Sequence, residues 1–261
     1  MQEQHTDRSE PPRLQLNGIT VRFGGLSALD SVSLDIPAGA VVGVMGPNGA
    51  GKTTLFNVIC GVFPPTGGSL ALDGRDFHPR PHRLTRHGVA RTLQGLGLFP
   101  GLTVLQNVMA GLAAESRRGA DLLALPGAAR QEDQFRDRAL AALAALDVAG
   151  YSAALPDTLP YGIRKKVALA RALVSEPRLL LLDEPAGGLA HEDIEELASL
   201  IRTMPGNGCS VVLVEHHVDL VMDVCDRIAV LDFGRLIAEG TPAEIGADPA
   251  VADAYLGVDV A

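Results

Sequence analysis

At 261 residues and 27.3 kDa the chain is long enough for one large α/β domain, or for a core that carries a substantial insertion. With 47% hydrophobic and 20% charged residues its composition is that of a folded domain, which excludes general disorder. A net charge of −9 and a pI near 5.2 leave no basic surplus for neutralising a nucleic acid, and Cys60, Cys209 and Cys225 lie far apart without paired metal-ligand spacing, as suits reduced thiols of a cytoplasmic core.

Residues 1–12 are polar and end in Pro11-Pro12, the pattern of a disordered tail without the apolar stretch of a secretory signal. Between Arg13 and Phe23 the apolar residues Leu14, Leu16, Ile19, Val21 and Phe23 alternate with one break at Asn17-Gly18, which predicts strands with one buried face; Ser31 to Ile36 alternates similarly. After the turn Pro37-Ala38-Gly39, the unbroken apolar run Ala40 to Met45 reads as a strand buried on both faces. A glycine-rich stretch follows, and then Leu55, Phe56, Val58 and Ile59 at helical spacing. Asp73 to Arg86, with Pro79 and Pro81, is a surface excursion, and the alanine- and leucine-rich Thr103 to Val148 predicts two or three helices.

From Arg178 onward the apolar runs Leu179–Leu182, Val211–Val214 and Ile228–Leu231 alternate with helical stretches such as Glu192–Met204. This order predicts a mostly parallel sheet with helices on both faces, interrupted by a helical insertion. Nowhere do 18 or more apolar residues run together, so any role at a membrane has to come through a partner.

The stretch Gly46-Pro47-Asn48-Gly49-Ala50-Gly51-Lys52-Thr53-Thr54 matches the Walker A pattern in its required context, strand before and helix after. Glycines let the backbone curl so that successive N–H groups point inward, and the helix N-terminus adds its positive dipole end, a pocket that suits a triphosphate. Lys52 would reach the β- and γ-phosphates, the Thr53 hydroxyl would ligate Mg²⁺, and Thr54 would add a further donor. The bland alternative, a glycine-rich turn, does not require both flanking elements. Arg178 to Pro185 is an apolar strand ending in two carboxylates, the Walker B arrangement. Side chains on a regular strand alternate faces, so Asp183 and Glu184 are expected to do different work. Asp183 would hold Mg²⁺ through water, and Glu184 would act as general base on the water that attacks the γ-phosphate.

Leu159-Pro160-Tyr161-Gly162-Ile163 resembles the ABC signature motif, whose usual form is Leu-Ser-Gly-Gly-Gln, and stands upstream of the Walker B strand as in that family. The helix after it, Arg164 to Leu173, places Val167, Ala170 and Leu173 on a packing face and leaves Arg164, Lys165 and Arg171 wet. By the same resemblance Phe23 is the aromatic that stacks on adenine, Gln94 in Arg91-Thr92-Leu93-Gln94 is a Q-loop glutamine that also ligates Mg²⁺, and His216 is the switch histidine. Pro160 and Ile163 depart from the usual serine and glutamine, and Ala190 in Gly187-Gly188-Leu189-Ala190 replaces the commoner D-loop acid or asparagine. His78, His82 and His87 suggest a metal site only weakly, because Pro79 and Pro81 keep a helix from aligning the first two.

The chain is therefore identified as a member of the ABC ATPases over about Leu14 to Leu256. The resemblance implies an α/β fold: a P-loop NTPase (RecA-like) core, residues 13–93 and 177–257, with a helical subdomain inserted at about 94–176, an antiparallel β region and a short tail at 258–261. It implies ATP and Mg²⁺ as cofactors, and the Leu159–Ile163 motif completing the ATP site of an opposite subunit. It also implies a second ABC ATPase subunit, identical or not, integral-membrane permease subunits, indirectly an extracytoplasmic solute-binding protein, no nucleic acid, and a place on the cytoplasmic face of the membrane. Within the family, Arg22-Phe23-Gly24-Gly25-Leu26, Ala90 to Gln94, Leu159 to Gly162, Ala238-Glu239-Gly240-Thr241-Pro242 and Ala254-Tyr255-Leu256-Gly257 are most similar to the high-affinity branched-chain amino acid uptake type. The alternatives are an ATPase of lipopolysaccharide-export type and a soluble ABC ATPase outside transport; a P-loop GTPase is disfavoured because no Asn-Lys-x-Asp stretch occurs.

Overall fold

The computed structural model describes residues 11–92, 96–113 and 128–256. Strands β1 (Leu14–Phe23), β2 (Leu26–Ile36) and β3 (Val41–Met45) lead into helix α1 (Lys52–Ile59), then β4 (Gly67–Leu72), β5 (Arg75–Asp76) and β6 (Val89–Arg91). Helices α2 (Val104–Met109), α3 (Ala128–Ala144) and α4 (Tyr161–Leu173) form the helical block. The chain closes with β7 (Leu179–Asp183), α5 (His191–Thr203), β8 (Ser210–Val214), α6 (Val218–Val224), β9 (Arg227–Asp232), β10 (Arg235–Gly240), α7 (Pro242–Ala247) and α8 (Pro249–Leu256).

The strands form two sheets. An antiparallel one has the order β2-β1-β4-β5, and a larger one has the order β10-β9-β3-β8-β7-β6, parallel throughout except where β10 returns along β9. The unbroken apolar runs are explained by burial on both faces. On β3, Val42 and Val44 face the cluster shared with α1 and the antiparallel sheet, whereas Val41 and Met45 face the helices on the other side. Leu179 and Leu181 of β7, against Leu180 and Leu182, divide in the same way. Each such leucine or valine contributes roughly 1.5–3 kcal/mol by leaving water, so the central strands could not be polar on either face.

The helical block is pinned by a polar plug. Asn107 of α2 is fully buried; its carbonyl oxygen accepts from the Phe99 N–H (2.8 Å), and its amide donates to the carbonyls of Phe99, Leu102 and Thr103. Thr103 and Gln106 add a capping box at the start of α2, and α2, α3 and α4 pack on one another.

Some boundaries differ from the sequence expectation. β2 begins at Leu26 rather than Ser31; Ser31 sits in the left-handed region (φ 54°), so its side-chain alternation is interrupted there. The break at Asn17-Gly18 lies inside a single strand as a register shift, not between two. β10 is an edge strand with charged Arg235 and Glu239, whose half-exposed pattern carries no clear period. Of the expected tails, residues 1–10 and 258–261 lie outside the described residues, as does Gly257 at the expected end of the core. Among the described residues no helix is long and apolar enough to cross a membrane.

Candidate active site

Adjacent parallel strands β3, β8 and β7 end at the same sheet edge, so the loops that follow them meet there. After β3, the loop Gly46 to Gly51 turns through glycines that no other residue replaces: at Gly46 (φ 145°) a Cβ would lie 2.1 Å from the Leu231 carbonyl oxygen, and at Gly51 (φ 103°) 2.7 Å from that of Ala28. Ala50 is buried beneath the loop, while Asn48, Gly49 and Thr53 are exposed and Pro47 and Thr54 half-buried. Helix α1 starts at Lys52 with no side-chain cap on its first amides, which leaves them to an external acceptor. The Lys52 ammonium donates to the carbonyls of Gly46 (2.6 Å) and Pro47 (2.9 Å), and burial holds its pKa below the ordinary lysine value against the opposing pull of Glu184.

At the end of β7 the chain departs from the expected alternation. Asp183 is the last strand residue, and Glu184 turns into the left-handed region (φ 47°), so the strand stops between the two carboxylates. The turn is held on every side. Glu184 donates its N–H to the Val214 carbonyl (2.8 Å), and its carbonyl accepts from Gly187 N–H (3.2 Å) and the Lys165 ammonium (3.2 Å), which also reaches the Pro185 carbonyl at 2.5 Å. Burial, and next the charge of Glu184, raise the Asp183 pKa, against the opposing charge of Arg91.

His216, after β8, places Nδ1 3.8 Å from a Glu184 carboxylate oxygen and 3.8 Å from one of Glu215, with its ring stacked on His217. Glu215 is fully buried. One of its oxygens accepts from Ala186 N–H (2.7 Å), the other from the amides of His216 (2.8 Å) and His217 (3.1 Å). Glu215, His216 and His217 have the spacing of a metal cluster, but both oxygens of Glu215 are thus already engaged by amides.

The remaining expected residues spread around this centre. Phe23 projects from β1, 53% exposed, its ring edge-on to Phe63 at 5.5 Å. Gln94 lies outside the described residues, whereas Thr92, two positions earlier, accepts the Asp183 N–H at 3.3 Å. Leu159 and Pro160 lead into α4, which begins at Tyr161; Gly162 faces Asp193 of α5, Ile163 packs on the core, and Tyr161 closes over Gly188. The wet basic face expected of α4 is corrected: Lys165 ends on the Glu184 turn and Arg171 donates to the carbonyls of Leu96 and Gly97, because α4 lies against those loops rather than open solvent. Lys165 and Glu215 are the site residues that sequence reasoning missed. A lysine in an amphipathic helix and an acid beside a histidine give no pattern from which burial can be read.

A model of the ABC transporter family matches residues 29–187, more than half of the chain. The chain belongs to the ABC transporter ATP-binding family. A second model, for branched-chain amino acid ATP-binding cassette transporters, matches residues 235–261 of this ABC protein. It is 37% identical over 250 residues to the high-affinity branched-chain amino acid transport ATP-binding protein BraF of Pseudomonas aeruginosa, covering 94% of this chain and 98% of that one. Its identity to LivG of Escherichia coli K12, described in the same words, is 37% with the same coverage. The lipopolysaccharide export system ATP-binding protein LptB of the same organism is more distant, at 32% over 247 residues, covering 94% and 98%. Among solved structures, the ADP conformation of an ABC transporter cassette matches with a TM-score of 0.80 at 29% identity, over 94% of this chain and 98% of that one. A dimeric cassette bound to ADP and Pi matches at 0.75 and 28%, over 88% and 98%. The fold is thus that of the ABC ATPases, and the chain is an ATP hydrolase of that family.

Proposed function

We propose that this ABC ATPase powers uptake of branched-chain amino acids through a separate permease, docked peripherally on the inner membrane face and working as a dimer of ATPase subunits. The observation that carries the solute class is the match of residues 235–261 to the branched-chain model, beside full-length identity that is higher to the amino-acid proteins than to the lipopolysaccharide one. The match to a dimeric cassette supports pairing with a second subunit, whose ATP would meet Leu159, Pro160, Tyr161, Gly162 and Ile163. An extracytoplasmic solute-binding protein would deliver the amino acid.

Triphosphate would lie along the loop Gly46 to Thr54 with Lys52 on its β- and γ-oxygens, adenine against Phe23. The oxygen donors of Asp183 and Thr53 suit Mg²⁺, a hard cation; Gln94 would complete the set. When bound, Mg²⁺ supplies charge neutralisation across the β- and γ-phosphates. Glu184 takes a proton from water as the water oxygen bonds to the γ-phosphorus and the bond to the ADP oxygen breaks. His216, 3.8 Å from the Glu184 carboxylate, orients that group and the γ-phosphate.

The test is ATPase activity of the protein assembled with its permease and binding protein in proteoliposomes. Leucine, isoleucine or valine should raise turnover and enter the vesicles. Stimulation by lipopolysaccharide instead, or activity indifferent to every amino acid, would overturn the solute assignment.

A further inference from the structure

The C-terminal helix reaches the phosphate loop across most of the chain's length. Tyr255 of α8 accepts a hydrogen bond from the N–H of Gly46 at 2.9 Å, through its hydroxyl. Gly46 is buried, sits just past the end of β3 and has no room for a side chain against the Leu231 carbonyl. Its own carbonyl is taken by Lys52. The first residue of the loop is therefore gripped from both directions, by a residue the nucleotide would touch and by one from a helix outside the site. The Tyr255 ring is half-buried against the helical side of the core, beside Val251, and α8 packs on β10 and α7.

We propose that Tyr255 is a positioning residue for the phosphate loop, and that α8 clips this loop into its nucleotide-binding geometry. The proposal rests on the nucleotide-binding reading of residues 46–54. Without the hydroxyl, the buried Gly46 N–H has lost its acceptor, and the loop gains conformations in which its amides no longer converge. Apparent affinity falls by the fraction of time the loop spends in them. The coupling is reciprocal: a nucleotide that fixes the loop also fixes the end of α8. Burial raises the Tyr255 pKa, so the phenol stays neutral through the physiological range and the clip does not respond to pH there.

The experiment compares the full chain with Tyr255→Phe, which keeps the ring, and with Ile245→Val, which thins the buried packing of α7 without touching the loop. Tyr255→Phe should exchange its Gly46 amide hydrogen about tenfold faster, since an open state gains about 1.4 kcal/mol when its population rises tenfold. Its KM for MgATP should rise about fivefold, equivalent to about 1 kcal/mol, with kcat within about twofold. A non-hydrolysable ATP analogue should slow exchange across α8 in the wild type and do so less in Tyr255→Phe. Ile245→Val should leave KM at the wild-type value. A wild-type KM in Tyr255→Phe, or an equal rise in Ile245→Val, would overturn the clip, because packing alone would then account for the contact. A wild-type chain with no affinity for ATP would overturn the nucleotide reading, and the proposal with it; that outcome is distinguished by the wild-type baseline.

Discussion

Glu184 holds a left-handed backbone conformation that costs a non-glycine residue about 1–2 kcal/mol, and it persists because four contacts fix the turn around it. The result is a carboxylate turned out of the strand line toward His216, while Asp183 stays in line with β7. Glu184→Gln should bind MgATP with near-wild-type affinity and turn it over about 10²–10⁴-fold more slowly, the usual worth of a general base; Lys52→Ala should instead lose tight binding. Fluorescent-nucleotide titration beside steady-state ATPase separates them, and normal turnover in the glutamine variant would remove Glu184 from the base role. Lys165 acts one step away, its ammonium on the carbonyls of that same turn. Lys165→Met should lower kcat about tenfold with little change in KM, a loss of about 1.4 kcal/mol felt in the chemical step rather than in binding; restoration by Lys165→Arg would confirm that a cation is what the turn needs.

At the scale of elements, the loops that meet at the candidate site are held by buried polar side chains. Glu215 ties the segment after β7 to the segment after β8 through three backbone amides, so the turns bearing Glu184 and His216 move together. In the helical block Asn107 does comparable work for the 99–103 segment and α2. Asn107→Ala would leave the part-buried Phe99 N–H and three carbonyls without this side-chain partner. A loss of about 1–3 kcal/mol is expected, the range for polar groups left without a partner, and urea unfolding measures it. A midpoint shift equivalent to under about 0.5 kcal/mol, the level of an ordinary surface substitution, would show that the block is held elsewhere.

For the whole molecule, the buried thiols set an alkaline limit. Burial pushes Cys209 up to about 11 and Cys225 up to about 12, both above the ordinary thiol value of 9.0. The folded state therefore keeps these protons after the unfolded chain has lost them. Their contribution is complete below pH 9 and declines as pH rises toward 11–12. Lys52 and Lys165, whose folded pKa values are lowered, change stability in the opposite direction, so a single curve mixes the two. Comparison with Cys225→Ala separates them: the wild type should lose more of its urea midpoint than the variant between about pH 8 and pH 10.5, the window that the ordinary thiol pKa opens. Parallel losses would mean that Cys225 is ionised equally in both states.

The phosphate loop, the apolar strand before Asp183 and the alternation of strands with helices were legible in the chain because each is local: a glycine spacing, an unbroken run, a period. The break between Asp183 and Glu184 was not, since strand alternation presumes a regular backbone and the turn is imposed by Val214 and Lys165 from distant segments. Lys165, Glu215 and Tyr255 share that reason. Their sequence neighbourhoods read as a solvated helix face, an acid beside a histidine and a stretch similar to the branched-chain uptake type, and each acquires its work only from what the fold lays against it. Amino-acid order by itself determined the residues of the candidate phosphate loop and the layering of the sheet, whereas tertiary structure decided which buried polar groups hold the surrounding loops in shape, because a hydrogen bond between segments far apart leaves no periodic trace in either one.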